Sequence, residues 1–76
     1  MQKLSTAKKG TIGIVKSIEG DGRFLSRITS IGIILGSVIE VIQNQKKRPL
    51  LIYSRDTLIA INEQESEKIT LEVVGQ

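Results

Sequence analysis

The stretch that decides the fold runs from Gly20 to Val41 and reads Gly-Asp-Gly-Arg-Phe-Leu-Ser-Arg-Ile-Thr-Ser-Ile-Gly-Ile-Ile-Leu-Gly-Ser-Val-Ile-Glu-Val. Phe24, Leu25, Ile28 and Ile31 fall at i, i+1, i+4 and i+7, which is one face of a helix. Arg23, Arg27 and Ser30 fall on the other side. Asp21 stands ahead of the first turn, where a carboxylate can accept from a free amide. Gly32 follows the last apolar position, where a left-handed residue ends a helix. The spacing predicts a short helix over Arg23–Ile31. Gly36-Ser37 is then a turn, and the period falls to two. Val38–Ile42 reads as a β-branched strand with Glu40 at its centre.

Outward from this stretch, the chain reads as strands. Upstream, Ile12, Ile14 and Ile18 share one parity in Thr11–Ile18, which predicts a strand whose isoleucine face is buried. Glu19-Gly20-Asp21-Gly22 stops it. The first ten residues are polar and basic, with Leu4 as an anchor. Downstream, Gln43–Pro49 is a polar, basic loop. Leu50–Ser54 and Leu58–Ile61 read as a hairpin joined at Arg55-Asp56-Thr57. Asn62–Lys68 has room for one helical turn. Ile69, Leu71 and Val73 alternate in a last strand. The expected fold class is mainly β: a small barrel of about five strands with one short inserted α-helix, closed on itself so that few edges are exposed.

Composition agrees. Of 76 residues, 13 are Ile and 5 are Val, side chains that suit a pleated surface. A chain this short makes a single domain, residues 1–76, with little core to hollow out for a deep site. Cys and His are absent, as is Trp, so thiolate, imidazole and Cys/His zinc chemistry are unavailable. An enzyme is not expected. The longest apolar run, Ile31–Leu35, is far shorter than the ~20 residues of a membrane span. A soluble, intracellular protein follows, with no insertion into the membrane.

Charge is unevenly placed. Residues 1–56 carry ten Lys/Arg against four Asp/Glu, while residues 57–76 carry one Lys against four Glu. Lys46-Lys47-Arg48 lies in a loop from which it can reach phosphates or an acidic partner. The plainer reading is a solvated surface, since stacking aromatics are nearly missing. Gly10-x-x-Gly13 and Gly20-x-Gly22 lack the Lys-Ser/Thr of a phosphate loop and read as turn glycines. Glu63, Glu65, Glu67 and Glu72 show no calcium-loop pattern. Phe24 through Leu35 holds more apolar side chains than one short helix needs. The excess is either core or an exposed patch that docks a partner or a second copy.

The order of these features resembles the ferrous iron transport protein A (FeoA) family, from about Leu4 to Val73. The resemblance rests on Gly20, Arg27-Ile28, Ile31-Gly32-Ile33, Gly36 and Ile39-Glu40-Val41, with Pro49, Arg55–Ile61 and Lys68-Ile69 further on. The sequence departs from the family pattern at Leu35 (often Pro), at Lys47-Arg48-Pro49 (often a Gly-Asp-Pro-like turn) and at Ser66 (often Ala). The resemblance implies an SH3-like barrel without catalytic residues or cofactor, cytoplasmic, held at the inner membrane through its partner. That partner is the membrane ferrous iron transporter with a cytosolic GTP-binding domain. Related domains also end metal-dependent repressors. The absence of Cys and His leaves no set of side chains suited to holding ferrous iron, so no metal site is expected. The expected contacts are Arg23 and Arg27 on the helix flank, Ile33, Ile34 and Leu35 after it, and Lys46, Lys47 and Arg48 in the basic loop. A nucleic-acid-binding barrel that uses the basic first two-thirds of the chain is the alternative.

Overall fold

The computed structural model describes residues 1–75. Six strands form one antiparallel sheet: β1 (Gln2–Lys3), β2 (Ile12–Ile18), β3 (Val38–Gln43), β4 (Leu50–Ser54), β5 (Thr57–Ile61) and β6 (Ile69–Gly75). Their spatial order is β1-β6-β2-β3-β4-β5. Helix α1 (Gly22–Ser30) crosses from β2 to β3, and the single turn α2 (Glu63–Ser66) joins β5 to β6. A 3₁₀ turn, Leu4–Thr6, follows β1 and contacts both β6 and α2. The core is aliphatic, with Val15, Ile28, Ile39, Ile52, Ile61 and Leu71 all fully enclosed.

Three expectations change. The first is the strand count. The additional strand, Gln2–Lys3, pairs with Leu71 and Thr70 of β6. Two residues carry no period, so only the distant partner defines this strand. The anchoring role of Leu4 holds, since its side chain is completely buried. The second concerns closure. The sheet is not paired continuously around a barrel, because β1 and β5 remain as its two edges. Asn44 helps to tie this end of the molecule together, donating from Nδ2 to the carbonyls of Ser5 (3.1 Å) and Ala7 (2.7 Å).

The third change is the face of β2. Thr11, Gly13 and Val15 point inward, while Ile12 and Ile14 are only half-buried. The inner face uses a small residue where β6 comes close. A Cβ added at Gly13 would lie 3.1 Å from the Leu71 side chain. A bulge between Val15 and Ser17 then shifts the register against β6. An extra residue reverses which parity faces the core, so Ile18 packs inward although Ile12 and Ile14 do not.

Helix α1 forms where the spacing predicted it. The Asp21 carboxylate accepts from the Phe24 amide at 2.9 Å, which satisfies one of the free donors of the first turn. At the other end Gly32 has φ +97°, the left-handed conformation expected of it. The Gly32 amide donates to the Thr29 carbonyl (3.0 Å) and the Ile33 amide to the Ile28 carbonyl (3.1 Å). This pair of bonds is the Schellman termination, which brings the residue after the glycine back over the last turn. Ile33 and Ile28 are accordingly both enclosed in the core. The β4–β5 hairpin turns at Arg55 and Asp56, with φ of 52° and 62°. Positive φ at both positions marks a type I′ turn, whose twist matches that of the flanking strands.

Candidate docking surface

The segment between α1 and β3 is fastened to β2 by its backbone. The Gly36 amide donates to the Val15 carbonyl (2.8 Å) and the Val15 amide to the Ser37 carbonyl (2.9 Å). Within the turn the Ile34 amide donates to Ser37 Oγ (3.1 Å), and the Ser37 amide donates to the Ile34 carbonyl (3.0 Å). Ile34 and Leu35 are therefore held at the outer end of a fixed turn, 40% and 63% exposed. Beside them stand Leu25 and Thr29 of α1, with Ile18 below. Leu25 is 37% exposed, because Phe24 and Ile28 take the core-facing stripe of this nine-residue helix. The result is an open, mainly apolar groove. Lys16 borders it and pairs with Glu72 at 3.1 Å.

The expected contact residues divide. Ile34 and Leu35 line the groove. Ile33 does not, and its place in an accessible patch is corrected: the Schellman turn carries it into the core at 0% exposure. Arg23 is exposed on α1 and in no ion pair among the described residues. Arg27 pairs with Glu65 of α2, so it joins the helix to the β5–β6 connection. The other oxygen of Glu65 accepts from the Asn62 amide at 3.3 Å, and Asn62 Oδ1 accepts from the Glu65 amide at 2.8 Å. This reciprocal capping box holds α2 in place.

Lys46, Lys47 and Arg48 are exposed around a second concavity with Asn44, Asn62 and Glu63. Lys47 has φ 64°, and the Arg48 amide donates to the Gln45 carbonyl at 3.3 Å, so the basic side chains sit on a turn. No residue lines both concavities. The fold thus separates an apolar contact from a basic one. Leu25 and Ile18 belong to the groove and were missed in the sequence. The signal for Leu25 was its position next to Phe24: a helix of two and a half turns cannot turn both inward. Among the described residues no three His, Cys, Asp or Glu side chains gather as a metal site.

The architecture is that of a small mainly β module whose surface offers contacts to macromolecules. Comparison narrows this class. Residues 2–73 match the description of the FeoA domain, and the chain belongs to that family. A Methanocaldococcus jannaschii protein provisionally named Fe(2+) transport protein A is 38% identical over 72 residues, covering 95% of this chain and 87% of that protein. The zinc-complexed FeoA of Stenotrophomonas maltophilia, described as an SH3-domain protein and proposed as a ferrous iron transport activating factor, superposes with TM-score 0.79. It is 18% identical, over 95% of this chain and 91% of its own. A manganese-dependent transcriptional repressor superposes with TM-score 0.89 at 20% identity, over 96% of this chain and 41% of its own. The last two show the SH3-like fold alone. Family membership rests on the domain match and the archaeal relative, and it associates the chain with ferrous iron transport.

Proposed function

We propose that this chain is a cytoplasmic accessory protein that docks through its apolar groove on the GTP-binding domain of a membrane ferrous iron transporter and modulates it. The observation that carries the reading is the pair Ile34 and Leu35, held outward on a turn that β2 fixes in place. Exposed aliphatic side chains on a rigid support lose little entropy on binding, which favours docking. Family membership supplies the iron transport context. No helix among the described residues is long and apolar enough to cross a membrane, which is consistent with reaching the membrane through a partner. The nucleic-acid alternative loses support, because Phe24 lies in the core and leaves Tyr53 as the exposed aromatic.

The test is crosslinked capture from solubilised membranes with and without nuclease, using the wild type and an Ile34→Asp, Leu35→Asp variant. The wild type should recover a membrane iron transporter regardless of nuclease, and the variant should lose it while keeping its fold. Recovery of nucleic-acid-bound material that nuclease abolishes would replace this reading with the alternative.

A further inference from the structure

The two edges of the sheet are unlike. Edge strand β1 is two residues long and carries Lys3, so it offers little to pair with. Edge strand β5, Thr57-Leu58-Ile59-Ala60-Ile61, is five residues long and contains no charge, proline or glycine. Natural sheets usually blunt such an edge with a lysine, a proline, a bulge or a cover. Here the register with β4 is regular from Leu50↔Ile61 to Ser54↔Thr57. In a two-residue hairpin the closing pair exchanges hydrogen bonds, so Ser54–Thr57, Ile52–Ile59 and Leu50–Ile61 are the bonded pairs. The amides and carbonyls of Leu58 and Ala60 therefore point away from β4. Among the described residues they have no hydrogen-bond partner. Leu58 is also 59% exposed, and Ala60 is exposed with it.

We infer that β5 is a self-pairing edge, and that two copies of the chain join antiparallel through it about a twofold axis at Ile59. The outward groups select this register. Leu58 of each copy exchanges two hydrogen bonds with Ala60 of the other, giving four across the axis. Each Leu58 side chain then packs beside Ala60 of the second copy on the outer face. Extending the register past the strand ends sets Arg55 opposite Glu63 of the second copy, twice by symmetry. Neither residue forms an ion pair within the described chain, and both are exposed. An uncharged strand flanked by opposite charges at its two ends is complementary to itself when reversed. This complementarity favours a second copy over an unrelated extended peptide. The groove of Ile34 and Leu35 lies elsewhere, so the pairing does not depend on the proposed docking function.

Sedimentation equilibrium from about 1 µM to 1 mM covers the range of weak association. The wild type should pass from monomer to dimer. Ala60→Pro removes two of the four bonds without touching a bond to β4, and should abolish the dimer with the spectrum of the fold unchanged. Arg55→Glu should weaken association about tenfold, two pairs being affected at once, and R55E/E63R should restore it. In the wild type, the Leu58 and Ala60 amides should exchange with solvent more slowly as concentration rises. This last readout stands even where a variant fails to fold. A monomer throughout the range, or a dimer indifferent to both substitutions with no concentration dependence at these two amides, would overturn the pairing.

Discussion

At the scale of single residues, Gly20 is the position where substitution has the clearest cost. Its φ of +139° lies where side chains are rarely found, and an added Cβ would come within 2.6 Å of the Phe24 ring. Gly20→Ala should lose roughly 2–3 kcal/mol or more through strain and clash together. Gly10→Ala is the control: φ is +91° but nothing lies within 4 Å, so the cost should be about 1 kcal/mol. Denaturant midpoints of the two variants separate the terms. Ile33 and Leu35 form a second contrast two positions apart. Ile33→Ala should cost about 2–5 kcal/mol, as for any enclosed aliphatic. Leu35→Asp should shift stability by less than about 0.5 kcal/mol and weaken partner capture.

At the scale of elements, α1 depends on its ends. Nine residues are too few to be helical alone, so the Asp21 cap and the buried Phe24–Ile28 stripe sustain it together. Asp21→Ala should destabilise by about 1 kcal/mol and raise amide exchange first in Arg23 to Leu25. Since Leu25 and Thr29 line the groove, capture should weaken with it. This helix was legible because its spacing, cap and terminal glycine all sit within a dozen neighbouring residues. The β4–β5 hairpin was legible for the same reason. The burial of Ile33 was not, because an apolar residue just past a helix looks the same whether a Schellman turn folds it in or leaves it out. The inner face of β2 was hidden by its bulge, which is defined by β6 more than fifty residues later. The groove was half legible: its apolar excess was visible, but which side chains remained outside was decided by packing.

At the scale of the whole molecule, the basic loop and the apolar groove are separate surfaces on one small sheet. Reversing Lys46, Lys47 and Arg48 to Glu should leave the melting temperature nearly unchanged, since all three are exposed and in no ion pair among the described residues. If the loop steers docking, association should slow at low salt, and the difference should fade as salt rises and screens the charges. Titration of capture rates against ionic strength measures this directly.

The strand order carries a consequence for how the chain acquires its structure. During synthesis β2, β3, β4 and β5 can line up as they emerge, each beside one already made. The 3₁₀ turn with Leu4 and the strand before it must wait for β6, which seats itself between β1 and β2. Until residues 69–75 leave the ribosome, one side of β2 is unpaired and the pocket for Leu71 is empty. Non-local pairing of this kind slows folding, and it makes completion a single late step. A nascent chain halted before β6 would present an open sheet to chaperones, and release of the last strand would close it.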